Sequence, residues 1–491
     1  MSKFTKAFKK FPSTFWVANT MELFERWAWY GMFTSLSVYL ISSADKGGLE
    51  WSSAQQSAVM GTVTAVLYFL PILTGALADR IGYKLVLTIS YIVMGIGYYL
   101  MAVVTDYWPF IMAFSFLAVG AALFKPVVSA TISKTTDESN ASIGFGIFYM
   151  IVNIGGFIAP FVTIGVTSEE PGGWMPMFLV SVGAILVNLV LVLLFFKEPE
   201  REEKPKESAG QVIYKTLTNI VRALADYRLT VLLLIFVVFW TLFNQMYLML
   251  PKFIVQWFDT RPLYESLHSL SPGIANFLKA EDGGLRFQAL TNINAGAIIF
   301  FQLVVSSFVM KFRAIRAMMG GILVCGIGLA AALVTNNPWF LVIGVFIFSL
   351  GEMACSPKFT EYIGSLASQD KKALYMGTSF LPHFAGNFIA GIIAGPVYQM
   401  ISDKVTLVER FAALKGLNVD SELSQSAYFN EVASQLNMDS FQLTSALWET
   451  YHPGNFAYVV LALALFTVVA LFIYDKFLLQ GDRQPKEKAR A

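Results

Sequence analysis

The 491-residue chain holds only two cysteines, Cys325 and Cys355, and three histidines, His268, His383 and His452. Two thiols build neither a disulfide framework nor a structural zinc site. Three histidines among these loops assemble no nucleophile–histidine pair and no His/Asp metal cluster, and no phosphate-binding glycine loop is present. No catalytic residue, metal site or cofactor is therefore expected, and an enzyme is the least supported class. Charge is scarce too: Asp, Glu, Lys and Arg make up 14% of the residues, against roughly 25% in soluble domains. The 35 basic and 33 acidic side chains nearly cancel, leaving +2. That balance excludes a disordered chain and a soluble enzyme and argues against nucleic acid as a partner. What is present is apolar: 56% of residues, with a mean hydropathy of +0.59. A spanning helix takes about 20 such residues. The expected class is an all-α, polytopic membrane protein with the lipid bilayer as its solvent.

Twelve hydrophobic runs fall near 15–40, 55–78, 85–105, 109–132, 144–166, 175–196, 229–257, 288–310, 316–335, 339–362, 374–401 and 455–478, numbered below as spans 1 to 12. Their 3.6-residue periodicity, without alternating ten-residue segments, favours helices over an outer-membrane barrel. The first run is too long for a cleavable signal and contains Glu22, Glu25 and Arg26, so it reads as a spanning helix. Of the 35 Lys and Arg, 24 fall on the loops and tails that share a side with both termini and 7 on the opposite loops. The positive-inside rule then places both termini in the cytoplasm, in a cell (plasma or inner) membrane. The expected organisation is a six-helix bundle over 1–196, a cytoplasmic linker over 197–228, and a second six-helix bundle over 229–480. An extracytoplasmic insertion occupies 402–454 and a cytoplasmic tail 481–491. The lysines and phenylalanines of residues 3–11 alternate as in an amphipathic helix lying on an anionic leaflet. In the insertion, Asp439 and Gln442 have the spacing of a capping box; a loop cover is favoured there over a partner-docking domain.

Ionisable groups inside spans cost roughly 2.5 kcal/mol or more each at mid-depth, so they default to function. Span 1 carries Glu22-Leu23-Phe24-Glu25-Arg26, with Tyr30 one turn on, all on one helix face. Span 4 holds Lys125 and span 10 holds Glu352. Fully ionised, Glu22, Glu25 and Glu352 outnumber Arg26 and Lys125 by one, so one carboxyl is expected to hold a proton for part of a working cycle. Asn153, Gln245, Asn294 and Asn387 suit helix–helix hydrogen bonding as well as substrate contact. His383 reads as a packing residue ahead of a proton relay, Cys325 and Cys355 as small apolar fillers. Gly95/Gly97, Gly155/Gly156 and Gly391/Gly395 mark close helix crossings.

Between spans 2 and 3, Gly75-Ala76-Leu77-Ala78-Asp79-Arg80-Ile81-Gly82-Tyr83-Lys84 resembles the G-x-L-A-D-R-x-G-x-K loop of the major facilitator superfamily. Within that superfamily, Glu22-x-x-Glu25-Arg26-x-x-x-Tyr30-Gly31 resembles the E-x-x-E-R-F-x-Y-Y-G signature of proton-dependent oligopeptide transporters. Tyr68-Phe69-Leu70-Pro71, Phe124-Lys125-Pro126 and Phe148-Tyr149-Met150-Ile151-Val152-Asn153-Ile154-Gly155 are similar to that family's motifs in helices 2, 4 and 5. Trp240 with Gln245, Asn294, and Gly351-Glu352 through Pro357 resemble its helix 7, 8 and 10 motifs. The chain departs from the pattern at Asn244, where the family has an acid, at Ser379, where it has Trp, and at Trp29, where it has Tyr.

The resemblance implies twelve helices in two six-helix bundles around a central site, working by alternating access, with di- and tripeptides imported alongside protons. It implies proton coupling at Glu22, Glu25, Arg26 and Lys125, and substrate contacts from Arg26, Tyr30, Tyr68, Lys125, Asn153, Trp240, Asn294 and Glu352. Gly75, Asp79, Arg80, Gly82 and Lys84 would shape the inner loop, with Asp79 accepting from a helix end and Arg80 and Lys84 holding the leaflet. No cofactor besides the coupling proton is expected, and the expected working unit is a monomer. The alternatives are a carrier of another small anion or zwitterion, such as nitrate or an amino-acid derivative, and a non-transporting receptor or scaffold.

Overall fold

The computed structural model describes residues 11–137, 140–199, 208–366 and 372–478. The amphipathic segment expected before span 1, the charge run at 200–207 and the tail from 479 lie outside these residues, apart from Phe11. Among the described residues, eleven helices are long and apolar enough to cross a membrane. The helix Ser13–Ile41 makes the twelfth span; it holds Glu22, Glu25 and Arg26 within five residues.

Proline decides where several spans break. Pro71 has no N–H to continue a ladder, so span 2 is two helices, Ser53–Phe69 and Pro71–Ile81. Span 7 likewise runs Tyr227–Leu248 and restarts as Leu250–Trp257 around Pro251. Span 11, expected as one run, is Lys372–Thr378, Phe380–Ile392, a π-helical segment Ile393–Val397 that holds Pro396, and Tyr398–Ile401. Pro382 leaves the Thr378 carbonyl without its donor, which accounts for the first break.

The chain divides into two compact units. The first contains the residues up to Ser42 with 46–49 and Val63–Thr218; the second contains 43–45, Glu50–Thr62 and everything from Asn219 onward. In the first unit, span 1 (Ser13–Ile41) packs on spans 5 (Ala141–Val166) and 6 (Met175–Leu194), and span 3 (Tyr83–Val103) packs on spans 4 (Tyr107–Lys134) and 6. In the second, span 7 packs on spans 11 and 12 (Phe456–Ile473), while span 10 (Pro338–Leu366) lies against spans 8 (Ile293–Val309) and 9 (Ala314–Leu333).

Two loops carry more structure than their composition announces. The linker expected over 197–228 contains a 16-residue helix, Ala209–Leu224, whose Ile220 and Ala223 are buried while Tyr214 and Val221 are exposed. The insertion folds into the helices Lys404–Leu414, Gln425–Gln435 and Ser440–Tyr451, N-capped by Asp403, Ser424 and Asp439. The third cap is the expected box: Gln442 N–H donates to Asp439 Oδ1 at 2.7 Å and Asp439 N–H to Gln442 Oε1 at 2.9 Å.

Candidate functional site

In the first unit, helical spacing puts Glu22, Glu25 and Arg26 on one face of span 1, and their side chains meet. Arg26 Nε lies 3.3 Å from Glu22 Oε1 and donates to Glu25 Oε2 at 2.5 Å, so one guanidinium bridges two carboxylates. Glu25 is fully buried, Glu22 is 5% exposed, and the Arg26 side chain is 12% exposed. Glycine makes room for them. A Cβ on Gly155 of span 5 would sit 2.9 Å from Arg26 Cβ and 3.0 Å from Leu23 O; one on Gly156 would meet the Tyr30 ring at 3.2 Å. The Tyr30 ring also lies beneath the guanidinium, 5.9 Å from Arg26 Cζ. Below the cluster Thr163 Oγ1 donates to Gly31 O at 2.8 Å, tying span 5 to span 1.

Lys125 owes its place to the next residue. Pro126 cannot donate to Ala122 O, and Thr74 Oγ1 supplies the missing donor at 2.6 Å. Gly75 lies against the proline ring, where a Cβ would be 3.3 Å from Pro126 Cβ. This joint holds Tyr68 near Lys125, the ring centroid 4.8 Å from Nζ. Among the described residues Lys125 has no carboxylate within ion-pair distance. Asn153, grouped with these residues by its motif, donates to Tyr149 O of its own helix at 2.7 Å.

In the loop between spans 2 and 3, the side chain of Asp79, expected to accept from a helix end, lies outside the described residues. Gly82 has φ +116°, a conformation that favours glycine, and it turns the chain into span 3. The acceptor at the helix start is Glu198, which takes the N–H groups of Tyr83 and Lys84 at 2.8 Å each, a carboxylate on a positive helix end. Sequence reasoning placed Glu198 in the linker and missed it, since only the fold brings 198 to 83. Lys84 Nζ donates to Leu193 O at 2.9 Å and so caps the end of span 6.

In the second unit, Glu352 and Asn294 are brought together: Asn294 Nδ2 donates to Glu352 Oε2 at 2.9 Å and lies 3.0 Å from Ser349 Oγ. Gly351 sets the neighbouring backbone close, since a Cβ on Gly321 of span 9 would lie 2.8 Å from Gly351 O. Among the described residues no cation pairs with Glu352. Trp240 of span 7 packs against span 11. Its ring stacks on His383 with centroids 3.6 Å apart and meets Phe243 edge-on at 5.0 Å. Gln245 Nε2 bonds Thr241 O at 3.0 Å and Ala390 O at 3.3 Å, so it fastens span 7 to span 11. Asn244, where the resembled family has an acid, donates to Trp240 O at 2.8 Å.

Comparison with known proteins agrees with this layout. Residues 21–279 match the family model of the Major Facilitator Superfamily. Dipeptide and tripeptide permease A of Escherichia coli (strain K12) is 31% identical over 188 residues, 38% of this chain and 36% of that protein. An uncharacterized transporter of Bacillus subtilis (strain 168) is 29% identical over 195 residues, 39% of this chain and 38% of that one. The chain thus matches little more than a third of the length of these curated relatives. In fold the likeness is nearly complete. A peptide transporter POT solved with sulfate has a TM-score of 0.67 at 18% identity, covering 96% of this chain and 98% of its own. A POT family transporter solved with 5-aminolevulinic acid has a TM-score of 0.68 at 17% identity, covering 96% and 99%. With its family model spanning more than half its residues and the twelve-helix architecture in place, the chain belongs to the Major Facilitator Superfamily.

Proposed function

We propose that the protein is a proton-coupled symporter that takes up di- and tripeptides, a member of the proton-dependent oligopeptide transporters within its superfamily. One observation carries the reading: a buried cation, Lys125, and a carboxylate, Glu352, each have no oppositely charged side chain within ion-pair distance among the described residues. Charges placed in a membrane interior need compensation, and a zwitterion supplies both kinds. Its carboxylate would go to Lys125 and Arg26, its ammonium to Glu352. Nitrate would satisfy only the cation, so this pairing favours a zwitterion over a simple anion. The naming of the curated relatives as peptide permeases supports the cargo.

The same charges account for coupling. Glu22, Glu25, Arg26 and Lys125 sum to zero when ionised. A substrate carboxylate makes the group −1, and a proton on Glu22 or Glu25 restores neutrality. Proton and substrate therefore load together. Tyr30 and Tyr68 offer hydroxyls beside the two cations; Asn153, Trp240 and Asn294 complete the expected contacts. Both termini face the cytoplasm in this reading, and transport is inward by alternating access.

The test is uptake into liposomes of purified protein under an imposed inward pH gradient, with a labelled dipeptide and unlabelled dipeptides, tripeptides, 5-aminolevulinic acid and nitrate as competitors. Gradient-driven uptake that peptides suppress and nitrate leaves untouched is the expected result. Suppression by 5-aminolevulinic acid but not by peptides would transfer the reading to an amino-acid derivative. Uptake that survives deletion of 402–454 would count against a receptor or scaffold built on that insertion.

A further inference from the structure

Lys252 has no part in the site above, yet it is 0% exposed. Pro251 restarts span 7 as Leu250–Trp257 and aims the next side chain across the unit. All three ammonium protons are used: Lys252 Nζ donates to Gln56 Oε1 at 3.0 Å, to Ser57 Oγ at 3.0 Å, and to Ala394 O in the π-helical segment of span 11. The Tyr398 ring centroid lies 4.5 Å from Nζ. Every acceptor is neutral. The nearby Asp403 carboxylate is occupied by Ser53 Oγ at 2.7 Å, Gln256 Nε2 at 3.0 Å and Thr406 Oγ1 at 3.1 Å.

The acceptors Gln56 and Ser57 belong to the helix Ser53–Phe69, whose residues 53–62 cluster with the second unit, as Lys252 does. The rest of that contact is a small-residue crossing. Ser53, Ser57 and Gly61 stand at i, i+4 and i+8 on one face. A Cβ on Gly61 would lie 2.8 Å from Gly391 Cα, and one on Gly391 would lie 2.7 Å from Ser57 O. Ala54 N–H donates to Gln399 Oε1 at 3.2 Å. Close backbone crossings of this kind hold membrane helices firmly.

We infer that Lys252 keeps this crossing reversible: a dry cation whose desolvation opposes closure, so that residues 53–62 release from spans 7 and 11 during the cycle. A buried ion with neutral partners is costly, and replacing it by an apolar side chain of similar size is often stabilising. Removing one acceptor has the opposite effect, because it strands a proton of a buried charge. A cation serving as a fastening would give the same sign for both changes. Here the signs differ. The inference rests on the transporter reading, since release has a use only in a protein that alternates.

The test needs neither substrate nor gradient. Ala54→Cys, at the crossing, reports opening through its labelling rate with a soluble maleimide in detergent-purified full-length protein; the buried Cys325 and Cys355 set the background. Lys252→Met should slow labelling by roughly tenfold. Gln56→Leu should speed it by several-fold, and the double variant should label as slowly as Lys252→Met alone. Gel filtration and thermal unfolding check that each variant is folded; should Gln56→Leu fail them, Ser57→Ala takes its place. Faster labelling in Lys252→Met, an unchanged rate, or a double variant that follows Gln56→Leu would overturn the inference. Because peptide uptake plays no part in this readout, failure here and failure of the peptide reading are separable.

Discussion

At the scale of single residues, the charged cluster and the glycines around it were open to reading from sequence for different reasons. Glu22, Glu25 and Arg26 announce themselves because three charges in one apolar run violate the rule that fills such runs, and their spacing fixes their common face. Glu352 stands out the same way, and its neighbour Asn294 was visible as a polar residue in lipid-depth sequence, but their 2.9 Å bond was not. Glycine at 328 is a sharper case. A Cβ there would run into the backbone N of Phe348 and lie 2.7 Å from Gly344 O, with no flexible side chain to yield. Gly328→Leu is therefore expected to cost about 1–3 kcal/mol or to part spans 9 and 10, which thermal unfolding in detergent would register as a lowered midpoint. For Glu352→Gln the expectation is different: the Asn294 bond and the fold survive, while affinity for a zwitterion falls by about 1–3 kcal/mol or more as its ammonium loses a charged partner. Competition binding with peptides whose amino end is free or acetylated checks this, the acetylated ones being insensitive to the change.

At the scale of elements, span positions were legible to within a few residues because twenty apolar residues in a row have few other uses. The breaks were less so. Each depends on which carbonyl a proline orphans and whether something else donates to it, as Thr74 does for Ala122. The helix Ala209–Leu224 escaped notice because the charge run before it dominates the linker's composition. Helix ends bound to distant carboxylates escaped for the same reason as Glu198: sequence separation hides them. The insertion's second helix shows this well. Its start is held by two acids from residues 45 and 50: Ser426 Oγ donates to Asp45 Oδ2 at 2.6 Å, and Gln425 N–H donates to Glu50 Oε1. Hydrogen bonds from Ser426 and Ser43 hold the Asp45 carboxyl below its ordinary 3.8. A carboxyl depressed in the folded state contributes stability above its unfolded pKa and loses it as pH falls through the lower folded value. Docking of Gln425–Gln435 should thus persist through mild acid and weaken only as pH drops below about 4. Pepsin, active across that range, should begin to cut the insertion at a higher pH in Asp45→Asn than in the unaltered protein.

At the scale of the whole molecule, what matters is how charge is shared between the units when nothing is bound. The first unit's charges at Glu22, Glu25, Arg26 and Lys125 cancel, and in the second no cation pairs with Glu352 among the described residues. Superfamily membership fixes the twelve-helix frame and says nothing of cargo; the proposed zwitterion rests on Lys125 and Glu352, neither of which has an ion-pair partner among the described residues. If the proton enters because the substrate carboxylate upsets the first unit's neutrality, then making Glu25 permanently neutral should uncouple the two. In Glu25→Gln the remaining Glu22, Arg26 and Lys125 sum to +1, so a substrate carboxylate restores neutrality with no proton at all. Binding is retained, and the carrier moves a neutral zwitterion. Exchange of labelled for unlabelled dipeptide across a liposome membrane should continue at a comparable rate. Net accumulation should not. A potential of 100 mV, inside negative, contributes roughly 2.3 kcal/mol per charge moved, or about 40-fold accumulation in the unaltered protein. The variant should equilibrate dipeptide to equal concentrations under either a potential or a pH gradient. Accumulation that persists in Glu25→Gln would move the proton site to Glu22 or out of span 1 altogether, and loss of exchange along with accumulation would mean that Glu25 holds Arg26 in place and carries no proton.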